Sequence, residues 1–138
     1  MSGQIFISYR REDSWGVAGR LSDRLRAQFG RSQIFMDLDS IELGGNFMEV
    51  IETTVAKCDV LLAVIGNNWL TTKDEYGDRR LDNPADWVRK EIGTALQRQI
   101  RTIPILVGSA LMPRSTDLPE DLKPLVSLNA LRLTSDSF

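Results

Sequence analysis

The sequence predicts an α/β fold of the flavodoxin-like kind, a five-stranded parallel sheet with helices on both faces. Three observations carry that expectation. Five short runs rich in β-branched and aromatic residues alternate with segments of helical period. The run VLLAVI at 60–65 is apolar at every position, as a strand covered on both faces requires. The resulting strand–helix alternation is the order that crossover connections turn into a parallel sheet.

The elements follow in chain order. A first strand is expected at 4–9, QIFISY. Val17, Ala18, Leu21, Leu25 and Phe29 then form an apolar stripe, opened by Asp13 or Ser14 as cap. A second strand is expected at 33–37, QIFMD. Phe47, Ile51, Val55 and Cys58 make the next stripe, opened by Asn46 with Glu49 three residues on, a capping-box spacing. The third strand is expected at 59–66, followed by a long polar loop at 71–83, TTKDEYGDRRLDN. Asn83 as cap and Pro84 at the first position open the third helix. Its core face carries Val88, Ile92, Ala95 and Leu96, and Glu91 then falls about two turns in. In the fourth strand, at 101–108, Pro104 has no ladder donor and should lie at a strand start or sheet edge. A short fourth helix is expected in DLPEDLKPLV, and a fifth strand at 129–133. The chain ends soon afterwards without a closing helix, so 1–138 reads as a single domain taken from something longer.

Composition narrows the chemistry. Seventeen Lys and Arg against nineteen Asp and Glu give a net charge of −2, no electrostatic reason to expect nucleic acid or an anionic membrane. The longest apolar run is too short to span a bilayer, and MSGQIFISY lacks the pattern of a signal peptide. Cys58 is the only cysteine, which rules out an internal disulfide and points to a reducing, cytoplasmic compartment. Histidine is absent. That removes Ser-His-Asp and Cys-His nucleophiles and His-ligated zinc, and one cysteine builds no thiolate zinc site, so no metal is expected. Catalysis would have to use carboxylates, Lys, Tyr, Ser or Thr, or a borrowed cofactor.

Ligands of open α/β sheets bind beyond the carboxyl ends of the strands. The sequence places Ser8, Tyr9, Arg10 and Arg11 after the first strand, and Asp37 with LDSIELGGN after the second. Gly66, Asn67, Asn68 and Trp69 follow the third, and Trp87 and Glu91 lie one turn apart on the third helix. Taken singly, each has an ordinary structural reading: solvated arginines, a half-buried Tyr9, turn-forming Gly44 and Gly45, packed tryptophans, an exposed Glu91. There is no G-x-G-x-x-G after the first strand and no P-loop. The third strand ends in Gly66, where a receiver domain would carry its acceptor aspartate.

Three stretches together, IFISYRRED, IFMDLDSIELGGNF and DWVRKEIGTAL, resemble a Toll/interleukin-1 receptor (TIR) domain over nearly the whole chain. The likeness is to the NAD-cleaving branch, bacterial and axon-degeneration-type. The resemblance implies that Glu91 cleaves the nicotinamide–ribose bond, that Trp87 shapes the pocket, and that Ser8, Tyr9, Arg10, Arg11 and Phe47 line it. NAD+ would be a substrate, with no cofactor. Residues 38–46 would be the loop that mediates TIR–TIR assembly. Here that loop lacks the proline of many signalling members and has Gly44-Gly45 instead. The missing last helix is the other departure.

The chemistry is open to such residues. Nicotinamide leaves as a neutral molecule, so the two carboxylates of a glycosidase shrink to one. A fixed carboxylate stabilises the oxocarbenium ion, a contribution of about 10²–10³ in rate. Arg10 or Arg11 is expected at the diphosphate. The expected function is an NAD+ glycohydrolase or ADP-ribosyl cyclase, in bacterial defence or NAD depletion. The alternative is a non-enzymatic TIR adaptor acting through self-association.

Overall fold

The computed structural model describes residues 3–36 and 46–134. Its strands are β1 (Ile5–Ser8), β2 (Ile34–Phe35), β3 (Val60–Ile65), β4 (Arg101–Val107) and β5 (Leu131–Leu133). They form one sheet in the order β2-β1-β3-β4-β5, with every neighbouring pair parallel. The flavodoxin-like expectation therefore holds. Strand order reverses between β1 and β3, and a crevice opens at that point above the carboxyl ends.

The pleat divides the apolar residues between two faces. Phe6, Leu61, Ala63 and Ile65 pack with Ile51 and Val55 of α2 (Phe47–Ala56) and with Val88, Ile92 and Ala95 of α3 (Trp87–Gln97). Ile7, Leu62, Val64 and Ile105 face the other way, towards Ala18 of α1 (Arg11–Phe29). This is why β3 is apolar throughout: each successive side chain enters a different core. Among the described residues no helix is long and apolar enough to cross a membrane.

Several boundaries differ from those expected. The α1 stripe stops early, and Phe29 is 49% exposed at the turn where Gly30 takes φ 99°. Ser14 breaks the helical geometry (φ −144°, ψ 31°), but neither it nor Asp13 caps the helix with its side chain. Instead the Asp13 carboxylate accepts from the backbone N–H groups of Gly66 (2.8 Å) and Asn68 (2.7 Å), tying α1 to the loop after β3. A Cβ on Gly66 would stand 2.5 Å from an Asp13 carboxylate oxygen, so a side chain there would displace that carboxylate.

Asn46 caps α2 as expected, accepting from the N–H groups of Met48 and Glu49. The start of α3 is a correction. Its cap is Asp86, which accepts from Arg89 N at 3.1 Å, while Asn83 closes a separate turn onto Ala85 N. Glu91 is thus the fifth residue of the helix, not two turns in. The long loop is ordered by its own contacts: Asp74 accepts from the N–H groups of Tyr76 and Asp78, and Leu81 is fully buried.

Pro104 lies in an interior strand, not at an edge or start. It pairs with Ala63 on one flank, and β5 joins the other flank only from Ile105 onwards, so no described ladder needs its missing donor. The expected fourth helix is a 3-10 helix, Glu120–Ser127. Pro124 inside it has no N–H to donate and disfavours α geometry at Lys123. Asp37 and residues 38–45 of the expected assembly loop lie outside the described residues.

Three outcomes follow. Gly66→Ala displaces the Asp13 carboxylate and should lower the unfolding free energy by about 1–3 kcal/mol in urea titration. Gly19→Ala in α1, where the added carbon meets nothing within 4 Å, should be neutral or stabilising. Cys58 is buried, and burial with the neighbouring Asp59 pushes its thiol up to about 11. A thiol reagent at mildly alkaline pH should therefore label Cys58 slowly in the native protein and quickly in urea, since thiolate is the reactive form.

Candidate functional site

The site is built where the end of β1 meets the first turns of α3. Ser8, the last residue of β1, is fully buried and held in the ladder opposite Ala63. Its Oγ donates to Glu91 Oε1 at 2.8 Å. Glu91 is only 6% exposed, so the solvated-surface reading of this residue does not describe it. Burial of a carboxyl group demands polar partners, and Ser8 supplies one from the sheet.

A second polar link joins Arg10, two residues beyond Ser8, to Asp86, five residues before Glu91. Arg10 donates to Asp86 through both terminal nitrogens, Nη1 at 2.6 Å and Nη2 at 2.9 Å. The two side chains are 3% and 8% exposed. The exposed-charge reading of Arg10 is therefore corrected: its fork is occupied, and only its Nε is buried without a partner among the described residues.

These elements enclose a cleft of about 470 Å³, within the usual range of small-molecule pockets. Of the residues expected at the site, Tyr9, Arg10, Arg11, Trp87 and Glu91 line it. Ser8 and Phe47 do not. Ser8 sits behind Glu91 as its hydrogen-bond donor. Phe47, at the start of α2, stacks on Trp87 with ring centroids 5.3 Å apart and planes 26° from parallel. It backs the indole instead of facing the cleft. Trp87 remains 38% exposed, leaving part of its ring surface accessible. Gly66, Asn67, Asn68 and Trp69 are not part of the lining, and Trp69 is fully buried in the core.

Lining residues that sequence reasoning did not assign to the site include Glu12, Met36 after β2, Asp74 and Arg80 from the long loop, and Asp86. Arg80 forms an ion pair with Glu12 at 3.1 Å on the rim. The signal for Asp86 was available, since an aspartate directly before an apolar-periodic segment is a good cap. The Asn83-Pro84 pair masked it. Chemically, the cleft offers a buried carboxyl group held by Ser8, an aromatic wall, and a lining where guanidinium groups alternate with the carboxylates of Glu12, Asp74 and Asp86.

Comparison with known proteins agrees with this architecture. The family model for the TIR domain matches residues 5–137. The NAD(+) hydrolase SARM1 of Danio rerio is 30% identical over 130 residues, covering 93% of this chain and 17% of that protein. The NAD(+) hydrolase tir-1 of Caenorhabditis elegans is 27% identical over 135 residues, 96% of this chain and 13% of that one. The NAD(+) hydrolase sarm1 of Drosophila melanogaster is 25% identical over 132 residues, 96% and 9%. The chain thus spans less than a fifth of the length of these relatives. Among solved structures, the TIR domains of the activated Roq1 resistosome recognizing the effector XopQ superpose with a TM-score of 0.57 at 13% identity, over 91% of this chain and 69% of that one, a likeness of fold. With the family model matched across almost the whole sequence, and the sheet order and helix placement in accord with it, the chain belongs to the TIR-domain family.

Proposed function

We propose that the domain is an NAD+ nucleosidase with Glu91 as its catalytic carboxylate. One observation carries the reading: Glu91 is buried, hydrogen-bonded by Ser8, and set one helical turn from Trp87 in a cleft at the reversal of strand order. The relatives named NAD(+) hydrolase support it.

NAD+ enters with its nicotinamide ring against Trp87 and its ribose C1′ over Glu91. The C1′–N bond breaks, its electron pair goes to the ring, and neutral nicotinamide departs without needing a proton. Positive charge grows on the ribose, and the carboxylate, itself only 6% exposed, stabilises it. Ser8 holds Glu91 so that this stabilisation needs no rearrangement. Arg11, in the lining of the cleft, faces the anionic diphosphate. Water trapping the cation gives ADP-ribose; attack by adenine or a ribose hydroxyl gives a cyclic isomer. We place the activity in NAD depletion or bacterial defence in the cytoplasm, with TIR–TIR clustering through the 38–46 loop as the switch. NAD+ is consumed as substrate, and no cofactor or metal takes part.

The purified domain, dilute and artificially clustered, should release nicotinamide from NAD+ when followed by chromatography. Glu91→Ala should slow release by about 10²–10³. Full activity in Glu91→Ala removes the site assignment, and a silent clustered wild type turns the reading to an adaptor. Ser8→Ala should lower kcat about tenfold with a smaller change in KM, because Ser8 orients Glu91 without facing the cleft.

A further inference from the structure

Glu91 rides on a helix that the sheet grips mainly through Val88, Ile92 and Ala95. Apolar contact is non-directional and leaves small slides and rotations of α3 cheap. Arg89 and Lys90 tie the helix to Asp121 and Glu52 at partly exposed positions, and two buried polar contacts fix it to the end of β1. Ser8 reaches Glu91, and Arg10 reaches Asp86. Asp86 and Glu91 are five residues apart, about 7.5 Å along a helix axis. Fastening α3 to the exit of β1 at two points along its axis sets both its position and its rotation.

Asp86 does two things with one carboxylate. Oδ1 takes Arg10 Nη1 at 2.6 Å, while Oδ2 takes Arg10 Nη2 at 2.9 Å and the backbone N–H of Arg89 at 3.1 Å. The group that starts the catalytic helix is therefore the group that clamps the loop after β1. A buried ion pair adds little stability over an apolar substitute. A bidentate fork does add directional precision, and that is what a reacting carboxylate needs.

We propose that the Arg10–Asp86 pair is a positioning device for Glu91, and that Arg10 is not a ligand of the substrate's diphosphate. This rests on the reading of Glu91 as catalytic. Drawing the Arg10 fork towards an anion would strand Asp86 in a buried place without its cation. Arg10 Nε is the buried donor that Asp86 does not engage, so affinity for NAD+ has to be measured alongside turnover.

Arg10→Lys keeps the charge and loses the fork; Asp86→Asn keeps a cap acceptor and loses the charge. Cooperative thermal unfolding of each variant establishes that it folds. Nicotinamide release gives kcat and KM, and calorimetry in a Glu91→Gln background gives NAD+ affinity with bond cleavage suppressed. Each single variant should lose about tenfold or more in kcat, with KM and affinity within about threefold of the parent. The double variant should be no slower than the worse single, as for two residues that act as one unit. A loss of affinity of about tenfold in Arg10→Lys, or an unchanged kcat in both singles, overturns the proposal.

Fluorine NMR of protein labelled with fluorotryptophan reads the geometry without turnover. The Trp87 signal, assigned through Trp87→Phe, should shift or broaden in Arg10→Lys; an unmoved signal overturns the proposal. A wild type that releases no nicotinamide while the Trp87 signal moves refutes the enzymatic reading and leaves the clamp of α3 standing.

Discussion

A carboxyl group kept from water at the mouth of a parallel sheet has to be answered by a donor fixed in the sheet. Here that donor is the Ser8 hydroxyl, 2.8 Å from Glu91. Much of the architecture serves to make this contact possible. β1 must lie inside the sheet, next to the reversal of strand order, so that its last residue stands directly behind the crevice. β3 must be apolar on both faces so that helices can cover both sides of it. The helix carrying Glu91 must begin where its fifth residue comes level with the end of β1, and Asp86 sets that start.

The fold was legible because its cues are local and redundant. An all-apolar third strand, helical stripes in between and the alternation of elements each pointed to the same sheet. Glu91 and Trp87 were legible as a pair because one-turn spacing puts them on one side of a helix. What was not legible depended on contacts distant in sequence. Two cap signals compete before α3, Asn83-Pro84 and Asp86, and both are locally sound. Arg10, 76 residues away, favours Asp86 by clamping it. Seen alone, Arg10 is indistinguishable from a surface charge, and only the fold reveals that it is buried. Asp13 offers the same lesson: it does not cap α1 as expected, because its carboxylate is taken by N–H groups of the loop after β3. Pro104 was misjudged because a strand interior to the sheet can still have one flank open where its neighbour has not yet begun.

The absence of histidine fits the chemistry assigned to the cleft. A leaving group that departs neutral asks for no general acid, so one well-held carboxylate and an aromatic surface are sufficient equipment. Several charges around the cleft are paired before any substrate arrives, Arg10 with Asp86 and Arg80 with Glu12. Such pairing keeps a polar cleft from collapsing or demanding counter-ions. It also separates groups that hold the site together from groups that meet the substrate, a separation that composition and spacing do not reveal.

The most direct measurement is a crystal structure of Glu91→Gln with NAD+ bound. The account predicts the nicotinamide ribose C1′ within about 3–3.5 Å of the residue 91 side chain, the separation of a reactive pair, with the pyridine ring on Trp87 and the Arg10–Asp86 fork intact. NAD+ bound elsewhere, or lying in the cleft with C1′ turned away from residue 91, would contradict it.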